Sequence, residues 1–139
     1  MGVSYGTYLG TLYAQYFPEN VGRIVLDGAI DPNATGTEQN LTQAIGFDTA
    51  LKAFVDDCFL KSDCPLQKPR SKALSQIISL FQGAATKPLR GYPNRPATES
   101  LLVLGTASAL YDSATGWPQL RDAIREGALR NRQTISRFV

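Results

Sequence analysis

The chain has 139 residues, of which 43% are hydrophobic and 19% are charged, so it has enough apolar sequence for one folded domain and is unlike a disordered segment. Its formal net charge is only +2 and its Lys and Arg residues are scattered, which argues against a nucleic-acid-binding surface. No apolar stretch approaches the length needed to cross a bilayer, and the first residues lack the pattern of a signal peptide. We therefore expect no nucleic-acid partner and no membrane-spanning segment.

The beginning of the chain predicts a helix that packs closely against a sheet. Residues 5–17 (YGTYLGTLYAQYF) place apolar side chains at three- and four-residue spacing, and Pro18 ends the helix. Gly6, Gly10 and Ala14 fall four residues apart and give this helix a stripe without bulky side chains. Because glycine inside a helix lowers its stability, we expect the stripe to serve close packing.

The next segment predicts a buried parallel strand. In residues 21–27 (VGRIVLD) no polar residue interrupts the run from Ile24 to Leu26, which is typical of a strand covered on both faces. A helix followed by such a strand is half of a βαβ unit, so we expect a further strand before Gly2. Residues 28–38 (GAIDPNATGTE) then predict a loop or a domain boundary.

The remainder of the chain predicts helices without further strands. We expect helices over residues 39–60, as one helix or two, and over 70–82, 98–111 and 119–129, with a proline-containing loop at 87–96. The candidate core positions are Ile45, Leu51, Phe54, Val55, Leu74, Ile77, Ile78 and Phe81. The predicted fold class is α/β, with a partial α/β core at residues 1–32, a mainly helical domain at 33–129 and an unassigned tail at 130–139.

The segment from Gly2 to Gly6 (GVSYG) matches the Gly-x-Ser-x-Gly pattern of a nucleophile elbow, in which a strand turns sharply into a helix. The glycines remove side chains that would clash in the turn, and Ser4 is left strained with an exposed hydroxyl. The backbone N–H of Tyr5 would then donate to the oxyanion that forms when Ser4 attacks a carbonyl, and one such donor typically lowers the barrier by about 3 kcal/mol. The alternative is that Ser4 merely caps a helix between two turn glycines.

One component of this chemistry is missing, because the chain contains no histidine. A Ser-His-Asp hydrolase uses an imidazole to accept the proton of the nucleophile and later to return it. Asp27 and Asp31 follow the predicted strand at the edge where ligand sites form in open α/β sheets, so either is a candidate for the acid of a triad. The alternative for both is that they cap the turn before the loop.

The segments GVSYGTYLG and YAQYFPENVGRIVLDGAIDP resemble the α/β-hydrolase superfamily and, within it, the exported bacterial tripeptidyl aminopeptidases related to prolyl aminopeptidase. The resemblance is close over residues 2–32, weaker to about Arg125 and absent from the final residues. It implies that Ser4 is the acylated nucleophile and that Tyr5 provides an oxyanion N–H. It also implies that residues from about Asn33 onward form a helical cap, which in this family covers the active site and selects substrates with a free N-terminus.

The family pattern includes parts that this sequence does not contain. Its members have a complete sheet before the elbow, with a second oxyanion donor, and a catalytic Asp and His after the cap. We therefore expect an internal fragment, inactive alone, of a larger serine hydrolase, whose tail (GALRNRQTISRFV) fits a premature end or a shifted reading frame. The resemblance implies an aminopeptidase that releases short peptides and that is secreted or bound to the cell envelope. An esterase or lipase of the same superfamily, acting on small esters, is the alternative.

Cys58 and Cys64 are the only cysteines. A closed zinc site takes four ligands and no further Cys or His exists, so we expect neither zinc nor another cofactor. Relatives of this type carry such a pair in the cap, which favours a disulfide that would contribute about 2 kcal/mol to stability. Two reduced thiols in a cytosolic protein are the alternative.

The later helical region offers further candidates for substrate contact. Tyr111, Asp112 and Trp117 resemble a cap segment of the family and either line a pocket or pack the cap. Glu99, Asp112 or another acidic residue of the cap is a candidate partner for the ammonium group of a substrate, and the sequence singles out none of them. A non-catalytic hypothesis also stands, in which the chain is a helical binding or oligomerisation module with a vestigial elbow, because the exposed face of an incomplete sheet favours association.

Overall fold

The computed structural model describes residues 1–92 and 95–135. In chain order the elements are β1 (Gly2–Val3), α1 (Tyr5–Tyr16), a 3₁₀ turn (Pro18–Asn20), β2 (Leu26–Asp27), α2 (Gly36–Cys58), α3 (Arg70–Thr86), β3 (Leu89–Tyr92), β4 (Arg95–Ala97), α4 (Glu99–Leu110) and α5 (Gly116–Ile135). The chain forms two compact units, Met1–Gly46 and a second that begins at Phe47. None of the helices in the described ranges is long and apolar enough to cross a membrane.

The first unit is a strand–helix–strand arrangement. β1 and β2 are parallel, with Gly2 opposite Leu26 and Val3 opposite Asp27. The Gly2 amide donates to the carbonyl of Val25 and the Ser4 amide to that of Asp27, both at 2.9 Å. The predicted helix is confirmed as α1, which ends before Pro18 because proline has no N–H to continue the helix. A two-residue strand, β1 at Gly2–Val3, leads into the helix.

Close packing of α1 against the strands is confirmed at one of its glycines. A Cβ placed on Gly10 would lie 2.7 Å from Cδ2 of Leu26, so the side chain of Leu26 occupies the space that the glycine leaves. A Cβ on Gly2 would overlap the carbonyl group of Gly6. At Gly6 no described atom lies within 4 Å of such a Cβ, apart from the adjoining residues and the nearby backbone of α1 itself. The prediction for the glycine stripe therefore holds at Gly10 and is wrong at Gly6.

The second strand is shorter and more exposed than predicted. Only Leu26–Asp27 of the expected segment is a strand, and the side chains of Val25 and Leu26 are 61% and 37% exposed. Within the described residues β2 pairs with β1 alone, in a two-stranded sheet. The expectation of a strand buried on both faces is wrong for this chain because no second neighbour or second layer covers it there.

The core of the second unit lies among α2, α3 and α5. Its buried members are Phe54, Val55, Cys58, Leu66, Ala73, Ile77, Leu120 and Ile124. The predicted core positions in α2 and α3 are confirmed as buried at Phe54, Val55 and Ile77 and as partly buried at Leu51, Leu74 and Phe81. Ile45 and Ile78 are instead more than half exposed. Ile77 and Ile78 are adjacent in a helix, where neighbouring residues do not share a face, so only one of the two faces the core.

The segment predicted to be a loop at residues 87–96 contains a β-hairpin instead. β3 and β4 are antiparallel, with Leu89 opposite Ala97 and Tyr92 opposite Arg95 and an irregularity between these pairs. Residues 93–94 lie outside the described residues. The expectation that no strand follows residue 38 is therefore wrong, because proline and glycine signals mark a hairpin turn as well as an open loop.

The helices of the second unit differ from their predicted bounds mainly in length. The segment predicted as one helix or two at residues 39–60 is a single helix, α2, which ends at Cys58, while α3 and α5 extend beyond the predicted ends at residues 82 and 129. Part of the unassigned tail thus belongs to α5, while residues 136–139 lie outside the described part of the chain.

A disulfide joins Cys58 at the end of α2 to Cys64, which confirms the pairing that the family resemblance favoured. Acidic residues next to these two cysteines form ion pairs with arginines of α5. The carboxylate of Asp57 lies 3.3 Å from the guanidinium of Arg121, and that of Asp63 lies 3.0 Å from Arg125. Arg121 is only 9% exposed, so Asp57, next to the disulfide, pairs with a buried guanidinium, while Asp63, inside the disulfide loop, pairs with Arg125.

Phe54→Ala is expected to lower the free energy of unfolding by about 3–5 kcal/mol, since it removes a fully buried aromatic ring and leaves a cavity. The variant would also lose the contact between the rings of Phe54 and Trp117, whose centroids lie 6.0 Å apart. Leu60→Ala is the control, because Leu60 is 83% exposed and surface changes stay within about 0.5 kcal/mol. Urea denaturation followed by fluorescence of Trp117 measures both variants. Equal midpoints would contradict the placement of Phe54 in the core.

Reduction of the Cys58–Cys64 disulfide is expected to lower the free energy of unfolding by about 2 kcal/mol, since the bond closes a short loop of the unfolded chain. This corresponds to a fall of about 1 M in the urea midpoint. The double variant Cys58→Ala/Cys64→Ala is the control and should not respond to the reductant. A wild-type midpoint that is the same with and without reductant would show that the bond does not stabilise this unit.

Candidate active site

Ser4 forms the bend between β1 and α1. Its backbone angles are φ 53° and ψ −121°, and within the described ranges it is the one residue other than glycine with a positive φ. Such a conformation costs about 1–3 kcal/mol and persists only where surrounding contacts hold it. Ser4 is exposed and its side chain makes no capping hydrogen bond to α1. The bend therefore has the geometry expected of a nucleophile elbow, and the helix-capping alternative lacks its defining bond.

The amide of Tyr5 lies directly beside this serine. Tyr5 is the first residue of α1, so its N–H has no acceptor one turn earlier in the helix and is left for another group. The N-terminal end of a helix also carries a partial positive charge, which favours an anion at this point. The arrangement is chemically suited to hold an oxyanion next to the hydroxyl of Ser4.

Asp27 lies beside the bend at the end of β2, and Asp31 lies in the loop that follows. Asp27 pairs with Val3, and its carbonyl accepts the Ser4 amide at 2.9 Å. The carboxylate of Asp31 accepts the amide of Asn33 at 2.9 Å, which is the bond of an Asx turn. Asp31 thus has the turn-capping arrangement that was the alternative to a catalytic role, and Asp27 contributes its backbone to the bend.

The loop that follows β2 runs against the bend. Gly28 has a φ of 72°, and a Cβ on it would lie 3.7 Å from the nitrogen of Ser4. The hydroxyl of Thr7, which is fully buried, donates to the carbonyl of Ser4 at 2.7 Å and accepts the amide of Ile30 at 3.0 Å. Thr7 therefore links the bend to the loop. The sequence motif does not single it out, although a threonine three residues after the serine is a usable signal, since a helical Thr hydroxyl reaches the carbonyl one turn back.

The acidic candidates of the second unit have different surroundings. The carboxylate of Asp112 accepts the amide of Ala114 at 2.8 Å and the hydroxyl of Thr115. These bonds, that from the Thr115 hydroxyl above all and then those from the backbone N–H groups of Ala114 and Thr115, hold the pKa of Asp112 below its ordinary value. Asp112 thus stabilises the start of α5. Glu99 is an exposed first residue of α4.

The two aromatic candidates also differ from one another. Trp117 is partly buried and packs edge-on against Phe54 in the core. Tyr111 is 78% exposed, and its ring meets Phe47 edge-on with centroids 5.7 Å apart. The contact with Phe54 favours the packing interpretation for Trp117, whereas Tyr111 presents most of its ring to solvent.

An open groove of about 790 Å³ lies on the first unit, and Leu9, Tyr13, Phe17 and Leu26 are among the residues that line it. Within the described chain Ser4 is not one of its lining residues. The groove is therefore an exposed apolar face of α1 and β2, and the chemistry-bearing groups lie at the bend instead.

Comparisons with known proteins agree with this geometry. The model of the alpha/beta hydrolase fold family matches residues 1–108. The serine protease Hip1 of Mycobacterium bovis is 37% identical over 133 residues, which cover 91% of this chain and 25% of that protein. The tripeptidyl aminopeptidase of Streptomyces lividans is 35% identical over 118 residues, covering 82% of this chain and 21% of that protein. Carboxylesterase B of Mycobacterium tuberculosis is 34% identical over 108 residues, covering 78% and 21%.

The chain spans about a quarter or less of the length of these curated relatives. The family model nevertheless covers well over half of the chain, including β1, the bend at Ser4, α1 and β2. The chain belongs to the α/β-hydrolase fold family.

Proposed function

We propose that this chain carries the nucleophile segment of a serine hydrolase, with Ser4 as the residue that is acylated. The observation that carries the proposal is the exposed Ser4 at a positive φ between β1 and α1, with the Tyr5 N–H beside it. The names of the Mycobacterium and Streptomyces relatives, a serine protease and a tripeptidyl aminopeptidase, support serine-based acyl transfer.

The chemical step follows from these groups. The oxygen of Ser4 forms a bond to the carbonyl carbon of the substrate, while the hydroxyl proton passes to an imidazole. The π electrons of the carbonyl move to its oxygen, which the Tyr5 N–H stabilises. When the electrons on the oxyanion return and the carbon–oxygen double bond re-forms, the carbon–nitrogen bond breaks and the amine leaves with the proton from the imidazole. Water then hydrolyses the acyl-serine by the same steps in reverse order.

The imidazole has to come from polypeptide outside residues 1–139. These residues contain no histidine, and the relatives are roughly four times as long as the segment they share with this chain. The acid of the triad is assigned to the same outside polypeptide, since Asp31 already caps a turn. We call the chain extended through its flanking coding sequence to such a histidine the extended polypeptide.

The proposed substrate is a short peptide with a free N-terminus, released by an aminopeptidase. The name of the Streptomyces relative supports this class, while the name Carboxylesterase B supports the ester alternative. We assign residues 33–129 to a helical cap, in keeping with the succession of α2, α3, α4 and α5. Because Asp112 is engaged at the start of α5, Glu99 is the stronger of the two candidates for the ammonium group.

The proposed location of the parent protein is outside the cytoplasm, by secretion or in the cell envelope. The Cys58–Cys64 disulfide supports it, because disulfides persist in oxidising compartments and are rare in the cytosol.

Labelling with a fluorophosphonate probe tests the assignment of Ser4. The extended polypeptide is expected to be labelled at Ser4, and the chain of 139 residues alone is not, because the serine needs a base to become nucleophilic. Ser4→Ala in the extended polypeptide should abolish labelling and lower kcat by about 10⁶-fold, as loss of a triad serine does. Ser71→Ala, at an exposed serine of α3, is the matched control and should leave labelling unchanged.

Three results would contradict the assignment. They are strong labelling of the 139-residue chain alone, labelling of another serine, and a flanking sequence without any histidine. A folded extended polypeptide that takes no label would instead favour the non-catalytic binding module. Tripeptide anilides with free and acetylated N-termini, compared with a nitrophenyl ester, separate the aminopeptidase from the esterase.

A further inference from the structure

Thr7 is an unusual residue for the inside of this unit. It is 0% exposed, and Thr7 and Arg121 are the buried polar or charged residues among the described part of the chain. A buried hydroxyl is unfavourable unless it is hydrogen-bonded, and that of Thr7 is bonded on both its donor and its acceptor side. The buried hydroxyl of Thr7 is therefore fully satisfied by hydrogen bonds.

The bonds of Thr7 connect parts of the chain that are distant in sequence. Its hydroxyl donates to the carbonyl of Ser4, three residues earlier, at 2.7 Å, with the carbonyl of Gly28 at 3.4 Å as a weaker second acceptor. The same oxygen accepts the amide of Ile30, 23 residues away, at 3.0 Å. One hydroxyl thus fastens the loop after β2 to the backbone of the bend.

Ser4 is consequently held on both sides of its strained conformation. Its amide donates to the carbonyl of Asp27 at 2.9 Å, and its carbonyl accepts from the amide and the hydroxyl of Thr7 at 2.9 and 2.7 Å. A strained backbone persists only where such contacts over-determine it. The amide of Thr7 belongs to the helix, so the hydroxyl is the contact that also ties the bend to the loop.

We propose that Thr7 is a positioning residue for the nucleophile: its hydroxyl holds the backbone of Ser4 against the loop at residues 28–30 and so keeps the serine oxygen and the Tyr5 N–H aimed at one point. This inference rests on the proposed role of Ser4. A displacement of about 1 Å at a reacting group is enough to slow a reaction about a hundredfold, so the loss of this link is expected to act on the chemical step and not on substrate binding.

The first measurement is independent of catalysis. Amide hydrogen exchange, followed by NMR on the 139-residue chain, reports the Ile30 N–H directly. Thr7→Val keeps the shape of the side chain and removes its hydroxyl, so exchange at Ile30 is expected to become about five- to tenfold faster. Thr7→Ser keeps the hydroxyl and should retain the protection. Thr11→Val makes the same chemical change one turn later, at a hydroxyl that donates to the carbonyl of Thr7 within α1, and should leave exchange at Ile30 unchanged.

The second measurement follows acylation of the extended polypeptide by the fluorophosphonate. Thr7→Val is expected to lower the maximal rate of inactivation about a hundredfold with little change in the probe concentration that gives half of it. Thr7→Ser should restore most of the rate, and Thr11→Val should match the wild type. Hydrogen-exchange protection of the other α1 amides shows whether the first unit is still folded in Thr7→Val. If it is not folded, Thr7→Ser is compared with the wild type instead.

The outcomes separate the two proposals. Unchanged exchange at Ile30 in Thr7→Val, or faster exchange with an unchanged rate of inactivation, would overturn the positioning role while leaving Ser4 as the nucleophile. A Thr7→Ser variant that is as slow as Thr7→Val would also overturn it. A wild-type extended polypeptide that is never labelled would overturn both the role of Ser4 and that of Thr7. This outcome concerns labelling alone and involves no change in the hydrogen exchange of Ile30.

Discussion

Ser4 has a backbone φ of 53°, which a serine rarely adopts, and the structure of the first unit depends on keeping it there. The parallel pairing of β1 and β2 brings the carbonyl of Asp27 to the Ser4 amide, and α1 brings Thr7 to its carbonyl. If the bend relaxed to a regular conformation, the strand could not end at Val3 and the helix begin at Tyr5, with Ser4 alone between them. The constrained backbone of Ser4 thus determines three features: the pairing of β1, the direction of α1 and the exposure of the serine.

Glycines around the bend leave the space that the backbone conformation of Ser4 requires. A Cβ on Gly2 would overlap the carbonyl group of Gly6, and Leu26 fills the space beside Gly10, so the helix starts and runs close to the strands. Gly28 adopts a positive φ next to the nitrogen of Ser4, where a larger residue would be strained. Close approach is also what gives the bend its chemistry, because it places a hydroxyl and the N-terminal amide of a helix on neighbouring residues.

Local features of this fold follow from the sequence, and features that depend on distant partners do not. α1 and the bend are predictable because spacing, proline and the glycines around Ser4 act within one or two turns. The length of β2 and the β3–β4 hairpin are not, because strand formation depends on which neighbour pairs with it. The contacts of Thr7 escape prediction for the same reason, since its partner Ile30 lies 23 residues away. Burial in α2 and α3 is predictable to within one helical position, as the exposed Ile78 beside the buried Ile77 shows.

In the proposed function Ser4 is the nucleophile and the Tyr5 N–H is an oxyanion donor, while the proton-transfer groups are assigned to polypeptide outside residues 1–139, since these residues contain no histidine. In this proposal one bend aims both groups at the same reacting atom. A crystal structure of the extended polypeptide after reaction with an aryl phosphonate would show both groups at once. Phosphorus is expected to be bonded to the oxygen of Ser4, with a phosphonyl oxygen about 2.7–3.1 Å from the Tyr5 nitrogen. Phosphorus on another residue, or a phosphonyl oxygen turned away from Tyr5, would contradict it.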